Sequence, residues 1–177
     1  MDSKELLAAA VAITTGILIA SLGLINSLLQ SKTGLWGLST VVHTIGLGFS
    51  LVGLILFQQG HFLGLNSAHP VRYALLAMTL LSLGVGIFLV WLGLQQGLPW
   101  YSFLGGLVGL LVVMGTVYSV NQLGITNAIT LLLVSQILAA AIFQHLGILV
   151  QEASPLSLVK LLSLSLMLLG AIAVVRS

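Results

Sequence analysis

Four side chains that could handle a solute or a proton stand inside long apolar stretches of this chain. They are the amides of Asn26, Gln136 and Gln144 and the imidazole of His43. An amide can both donate and accept hydrogen bonds, which suits a neutral or weakly polar solute, and an imidazole can change its charge near neutral pH. Because such groups are costly in an apolar surrounding, we expect all four to face the protein interior or a water-filled cavity.

A second interpretation of the same groups stays open. A lone amide in an apolar helix commonly does no more than hydrogen-bond a neighbouring helix, and Asn26 and Gln144 fit that role. His43 stands in a stripe of small residues, where both a structural hydrogen bond and proton transfer are open to it. If the protein couples its activity to protons, we expect the coupling to run through His43.

The sequence lacks the residues that several kinds of chemistry require. No acidic residue lies well inside an apolar stretch, so a buried carboxylate cannot exchange protons for a cationic drug. The motifs of hydrolases, zinc proteases and phosphate-binding loops are missing. The chain has no cysteine, and its four scattered histidines lack acidic companions, which makes a poor metal site. We predict that the protein is not an enzyme and that it uses no metal and no cofactor.

The composition indicates which elements must hold these residues. Of 177 residues, 59% are hydrophobic and 5% are charged, whereas soluble domains carry roughly 25% charged residues. This excludes a soluble globular fold, and disorder is excluded because it needs low hydrophobicity. The formal net charge of +2 gives no reason to expect nucleic acid as a partner. What remains is a polytopic membrane protein whose main partner is the lipid bilayer.

Crossing a bilayer core of about 30 Å takes roughly 20 helical residues. Six apolar stretches reach this length, and the predicted spans are about 6–30, 36–58, 71–95, 101–121, 127–150 and 156–175. They leave no room for a soluble domain. The predicted fold class is therefore all-α, a single transmembrane helical bundle over residues 1–177. The first apolar stretch is too long for the core of a signal peptide, so we expect it to be retained.

The few charges give only a weak orientation. Six spans put both termini on one side of the membrane together with Lys4, Arg72 and Arg176, and they leave Lys32 and Lys160 on the other. The positive-inside rule then favours cytoplasmic termini in the plasma (inner) membrane. The near balance also allows a population of mixed orientation.

Small residues recur at helical spacing along most spans. Span one, for example, carries Gly16, Ala20, Gly23 and Ser27 on one stripe. Stripes of this kind let helix backbones approach each other in lipid. The chain has 20 glycines, more than internal packing alone needs, and we therefore expect that a homodimer can form.

Six spans divide into three plus three, and an odd number of spans per half would make any internal repeat an inverted one. A shift of 93 residues superposes three pairs of positions: Gly16 on Gly109, Asn26 on Ser119, and His43 on Gln136. An inverted repeat is the arrangement that supports alternating access in transporters.

Three segments in order resemble the YdcZ-type family of the drug/metabolite transporter (EamA-like) superfamily. The first is 16–46, with Asn26 in an Asn-x-x-Leu step ahead of a glycine. The second is PWYSFLGGLVG (99–109), with aromatic residues ahead of a double glycine. The third is VSQILAAAIFQHLGIL (134–149), which contains Gln136 and Gln144. The resemblance implies a small inner-membrane permease or exporter.

Two features depart from that family pattern. Gln144 stands where the family usually has an acid, which speaks against proton coupling through this position. The family also resembles a five-span protein, so the stretch 71–95 is either an insertion or the span that completes a three-plus-three arrangement.

These observations predict a small secondary transporter that moves a small metabolite or drug-like solute, with the four polar residues lining its cavity. The alternative is a non-transporting membrane scaffold, or an assembly partner, in which the same groups only join helices. A passive channel is a third possibility, and its flux would not saturate with solute concentration.

Overall fold

The described part of the chain folds into helices and connecting turns. The computed structural model describes residues 2–58, 61, 64, 70–148 and 153–176. In chain order the elements are α1 (Ser3–Gln58), α2 (Val71–Gln95), a 3-10 helix (Trp100–Phe103), α3 (Gly105–Leu123), α4 (Ile125–Leu146) and α5 (Leu158–Arg176). The predicted all-α fold class is confirmed.

Among the described residues, five helices are long and apolar enough to cross a membrane. Large apolar side chains point outward along them. Phe57, for example, is 87% exposed and Leu166 is 72% exposed. A continuous apolar surface of this kind is stable against hydrocarbon rather than water, and helices satisfy their own backbone hydrogen bonds there. The prediction of a multi-pass membrane protein is confirmed.

α1 is interrupted at one residue. It contains 56 residues, which at 1.5 Å each would measure about 84 Å, well beyond a bilayer core. Gly34, with φ 71° and ψ 175°, is non-helical and kinks the helix. Glycine alone adopts this region of backbone space without strain. Where the sequence predicts a short loop over 31–34, a single glycine separates two helical segments, which we call α1a (residues 3–33) and α1b (residues 35–58).

The helix ends described next lie at the predicted bounds or at a glycine that breaks the helix. α2 has the predicted bounds, and α3 is joined to α4 through Gly124 alone, with φ 77° and ψ 159°. α4 ends at Leu146, earlier than the predicted span, because Gly147 adopts the left-handed conformation. The Ile148 amide then donates to the Phe143 carbonyl at 2.9 Å and closes the helix end. Residues 149 and 150 of the predicted span lie outside the described residues.

The acidic residues near the N-terminus cap α1. The Asp2 amide donates to Glu5 Oε2 at 3.0 Å, and the Glu5 amide donates to Asp2 Oδ1 at 2.8 Å. This reciprocal pair is a capping box, which satisfies two backbone donors at the helix start.

The contacts within the chain cluster into two compact units, which are described separately below. Unit 1 comprises Met1–Leu24 and Leu111–Ser177, and unit 2 comprises Ile25–Leu110. In unit 1, α4 and α5 pack against each other. Unit 2 contains a small apolar core formed by Leu29, Val41, Leu98 and Phe103. The single domain over 1–177 stays a prediction.

Candidate functional site

In unit 2, α3 approaches α1b so closely that only glycine fits between them. A Cβ built on Gly106 would lie 2.5 Å from the Val42 carbonyl oxygen and 2.7 Å from the Gly46 amide nitrogen. A Cβ on the preceding Gly105 would collide with Asn26 Oδ1. This contact places the amide of Asn26 against the first turn of α3.

Two polar atoms near this contact are buried without a hydrogen-bond partner among the described residues. They are Oδ1 of Asn26 and Oγ of Ser102. Ser102 is fully buried, and it precedes Gly105 by three residues. A buried polar atom that lacks a partner is costly, so it is rare in proteins unless a water or a ligand supplies the missing bond. Asn26 and Ser102 are therefore the polar groups of unit 2 that a bound polar molecule would satisfy.

His43 lies beside this contact rather than in it. α1b turns Val42 and Gly46 towards α3, and His43 is about 100° around the helix from Val42. Its side chain is exposed, and its Nδ1 lies 2.7 Å from the Ser39 carbonyl oxygen. The Ser39 hydroxyl oxygen also lies 3.3 Å from Nδ1, so the imidazole bonds within its own helix.

In unit 1, α1a packs against α4 through another glycine. A Cβ on Gly16 would collide with Ser135 Oγ and the Leu132 carbonyl oxygen, and it would lie 2.9 Å from the Gln136 amide nitrogen. The Ser135 hydroxyl donates to the Leu131 carbonyl at 2.7 Å, so its bonding stays within α4. Gln136 is half-buried next to this contact.

Gln144 lies further along α4, where it lines a cavity of about 430 Å³ between α4 and α5. Lys160 and Ser163 of α5 line the same cavity, together with apolar residues. The Ser163 hydroxyl donates to the Val159 carbonyl at 2.9 Å. Gln144 and Lys160 are therefore the polar groups that this cavity presents to a ligand.

Two cavities lie in unit 2. The larger, of about 450 Å³, is bounded by α1b and α2 and is almost entirely apolar, with Phe49, Trp91 and Phe103 in its wall. The smaller, of about 240 Å³, is lined near the Gly34 kink by Lys32 and Gln96. The larger cavity can accommodate an apolar molecule. The smaller cavity has the positive charge of Lys32 in its lining.

The four predicted site residues are divided between the two units. Asn26 and His43 belong to unit 2, and Gln136 and Gln144 belong to unit 1. Of the four, only Gln144 lines one of these three cavities. That all four line one common cavity stays a prediction. Over the described residues, no group of three or more His, Cys, Asp or Glu residues could hold a metal ion.

Two further candidates escape the sequence analysis. Ser102 was passed over because serines are common in apolar helices, although it lies within the aromatic block 99–109. Lys160 lies in the first turn of α5, where a lysine can extend to the membrane interface. Its position gives no sign that Gln144 lines the same cavity. The relevant signal is its charge within a predicted span, a feature it shares only with Arg72 at the entrance to 71–95.

The fold and these polar groups define a polytopic helical membrane protein with hydrogen-bonding groups at membrane depth. A family model, DMT_YdcZ, with the description "Putative inner membrane exporter, YdcZ", matches residues 71–173. This is more than half of the chain, and the protein belongs to this family. It is accordingly a multi-pass protein of the inner membrane in a family of transporters.

The matched residues include α2 through most of α5 and two of the three resembling segments, 99–109 and 134–149. The first segment, 16–46, lies outside the match. The match begins at the start of α2, which favours a shared span over an insertion at 71–95. No curated protein and no solved structure matches the chain significantly.

Proposed function

We propose that this protein is a small secondary transporter that exports a small metabolite or drug-like solute across the inner membrane. The observation that carries the proposal is the family match over residues 71–173. Polar groups at membrane depth support it, because a buried acceptor without a partner, such as Asn26 Oδ1, is suited to a polar solute. In this proposal Asn26, His43, Gln136 and Gln144 line the transport path.

Flux into proteoliposomes tests the transport function. We expect protein-dependent, saturable flux of at least one of three probes: neutral chloramphenicol, anionic naphthalene-2-sulfonate and cationic ethidium. Protein-free liposomes of the same lipid are the control. Flux that rises linearly with concentration would indicate a channel, and no protein-dependent flux of any probe would favour the scaffold. A strain lacking the gene should also show a changed growth threshold on the transported probe.

The transporter as proposed has six spans. The kink at Gly34 separates α1a from α1b, each of which has enough residues to cross a bilayer core. With α2 to α5 this makes six crossings and places both termini on one side. The charge bias then favours cytoplasmic termini.

Single cysteines can test this topology cleanly because the native chain has none. Ser3→Cys, Ser31→Cys and His61→Cys are each treated with a membrane-impermeant maleimide in oriented membrane vesicles, before and after the membrane is permeabilised. With six spans, positions 3 and 61 react from the same side, and position 31 reacts from the opposite side. If α1 crossed the membrane once, positions 3 and 61 would react from opposite sides, and the six-span proposal would be wrong.

The proposed transporter consists of two inverted repeats of three spans, and the first support comes from its helix junctions. Gly34 in unit 2 and Gly124 in unit 1 each join two helices through a single residue. Both glycines have φ above +70° and an extended ψ, a combination that other residues avoid. Spans one and two are thus joined in the same way as spans four and five.

The helix contacts inside each unit give the second support. Within unit 1, Gly16 of span one packs on Ser135 of span five, and within unit 2, Gly106 of span four packs on Val42 of span two. Gly16 and Gly106 differ by 90 residues, and so do Leu132 and Val42, whose carbonyl oxygens they approach. The two glycine contacts therefore correspond at a shift of 90 residues, three fewer than the shift of 93 that superposes His43 on Gln136.

The cavities give the third support. Ile137 and Ala141 line the cavity of unit 1, and Thr44 and Gly48 line the larger cavity of unit 2. Each cavity thus lies between the second and third spans of its half. Since each half would contain three spans, the two repeats must have opposite orientations in the membrane, as alternating access requires.

Proton coupling provides a further prediction. His43→Ala should abolish the pH dependence of flux for the probe with the highest protein-dependent rate, because the variant loses the only imidazole inside a predicted span of unit 2. His61→Ala, which removes an exposed imidazole outside the helices, should leave the profile unchanged. The measurement is initial flux between pH 5.5 and 8. An unchanged profile in His43→Ala would contradict the assignment.

A further inference from the structure

We infer that the cavity between α4 and α5 binds an oxyanion attached to an apolar body, with Lys160 as the counter-charge and Gln144 as a second hydrogen-bond donor. The anion is a carboxylate, sulfonate or phosphate group. Binding at this site stands on the geometry of unit 1 alone, whereas export of the bound anion rests on the proposed function.

Among the described residues, the hydrogen-bond donors of this cavity have no acidic residue beside them in its lining. Lys160 brings a cation with three N–H donors, and Gln144 brings an amide. None of the residues that line the cavity is acidic. In the described part of the chain the acids are Asp2 and Glu5, which cap the start of α1. The cavity therefore presents positive charge and N–H groups to whatever enters it.

The apolar residues that line the cavity determine the part of the ligand to which the anion is attached. Ile137, Ala140, Leu164 and Met167 line the same space, and its volume of about 430 Å³ is large enough for a small organic molecule. Lys160 is exposed, so an anion beside it gains charge attraction and charge-assisted hydrogen bonds, and an apolar body gains by covering the apolar residues of the cavity. An amphipathic anion meets both requirements, whereas a neutral apolar molecule leaves the ammonium group unpaired.

The chain fixes the level of Lys160 relative to Gln144. The Ser154 amide donates to the Gln144 carbonyl at 3.0 Å, and the Leu156 amide donates to His145 Nδ1 at 3.4 Å. The Ser157 hydroxyl then accepts the Lys160 amide at 3.2 Å at the start of α5. These bonds join residues 154–156 to the end of α4, and Ser157 caps the start of α5, so Lys160 and Gln144 line the same cavity.

The larger cavity of unit 2 serves as an internal comparison. It lies between α1b and α2, the second and third spans of the proposed first half, and no charged residue is among the residues that line it. Lysine and glutamine are therefore not required to build such a cavity between two helices, and we assign them to its ligand.

Equilibrium dialysis of the full-length protein in phosphatidylcholine nanodiscs tests the site, with naphthalene-2-sulfonate as the anion and naphthalene-2-sulfonamide as its neutral counterpart. We expect saturable binding of the sulfonate, weakened about tenfold or more by Lys160→Gln, as expected for a hydrogen bond to a charged group. Gln144→Leu should weaken it by a smaller factor, and Lys160→Arg should retain it. Lys4→Gln, which changes a lysine outside the cavity, should bind as the native protein does.

A second part of the experiment distinguishes a lipid headgroup from a free solute as the anion that occupies the site. If a lipid headgroup occupies the site, phosphatidylglycerol in the nanodiscs competes with the sulfonate and is retained by the native protein but not by Lys160→Gln in native mass spectrometry. If the occupant is a free solute, phosphatidylglycerol leaves the sulfonate affinity unchanged. Equal sulfonate affinity of the native protein and Lys160→Gln, or no saturable binding, would overturn the inference. Binding without flux of any probe would refute transport and leave the site intact.

Discussion

Gly106→Ala should lower the midpoint of thermal unfolding by roughly 2–12 °C. The added Cβ would lie 2.5 Å from the Val42 carbonyl oxygen and 2.9 Å from Ile45 Cβ, so the two helix backbones must separate. Overpacking of this kind costs about 1–3 kcal/mol, and each kcal/mol shifts the midpoint by about 2–4 °C in a chain of this size. All three tryptophans, Trp36, Trp91 and Trp100, belong to unit 2, so tryptophan fluorescence follows this change directly.

Gly16→Ala is the corresponding change in unit 1, where the new Cβ would collide with Ser135 Oγ and the Leu132 carbonyl. Because unit 1 contains no tryptophan, its unfolding is followed by circular dichroism. Gly109→Ala and Gly23→Ala are matched controls, since a Cβ at either position meets nothing within 4 Å. In these controls the midpoint should stay the same or rise, because alanine favours helix over glycine. Equal midpoints for Gly106→Ala and Gly109→Ala would show that the close contact is not formed.

Gly34→Ala is expected to destabilise the protein through the backbone alone. A Cβ at this position meets nothing within 4 Å, so no collision with a neighbour contributes. At φ 71° and ψ 175°, however, a residue with a side chain is strained by about 1–3 kcal/mol. The unfolding midpoint should fall by several degrees when it is measured by tryptophan fluorescence in the same detergent as the native protein.

Gly124→Ala should behave in the same way, because it has a similar backbone conformation and equally open surroundings. Gly84→Ala and Gly170→Ala are the controls for the two units, since both glycines are helical and open. If Gly34→Ala and Gly124→Ala unfold at the native temperature, the junctions relax into another conformation and one-residue turns do not hold the helix pairs.

The helices could be predicted from the sequence because hydrophobic length alone decides which segments cross a membrane. α2 has the predicted bounds of 71–95. The kink at Gly34 is harder to anticipate. The polar residues Ser31, Lys32 and Thr33 indicate a loop, but the structure keeps them helical, with the Thr33 hydroxyl donating to the Leu29 carbonyl at 2.9 Å. A bond from a side chain back to its own helix offsets the polarity that would otherwise favour a break.

The candidate site was predictable only in part. The free-energy cost of burying an amide identifies Asn26 as a candidate. Its Oδ1 is buried and has no hydrogen-bond partner among the described residues. That Lys160 and Gln144 line one cavity depends on how α5 packs against α4, which periodicity does not encode. Ser119, the residue on which the predicted 93-residue shift superposes Asn26, donates to the Ala8 carbonyl at 3.2 Å and is satisfied. Whether a buried polar side chain finds a partner thus depends on contacts distant in sequence.

The short lengths of α3 and α5 determine which hydrocarbon thickness of the membrane matches the protein. Each has 19 residues and measures about 28 Å, no more than the hydrocarbon thickness of an average bilayer. Neither helix can tilt far without drawing its polar ends into the acyl chains. A bilayer of longer-chain lipids must therefore become thinner around the protein. The stability of the protein in a membrane, and its sorting among membranes, thus depend on acyl-chain length.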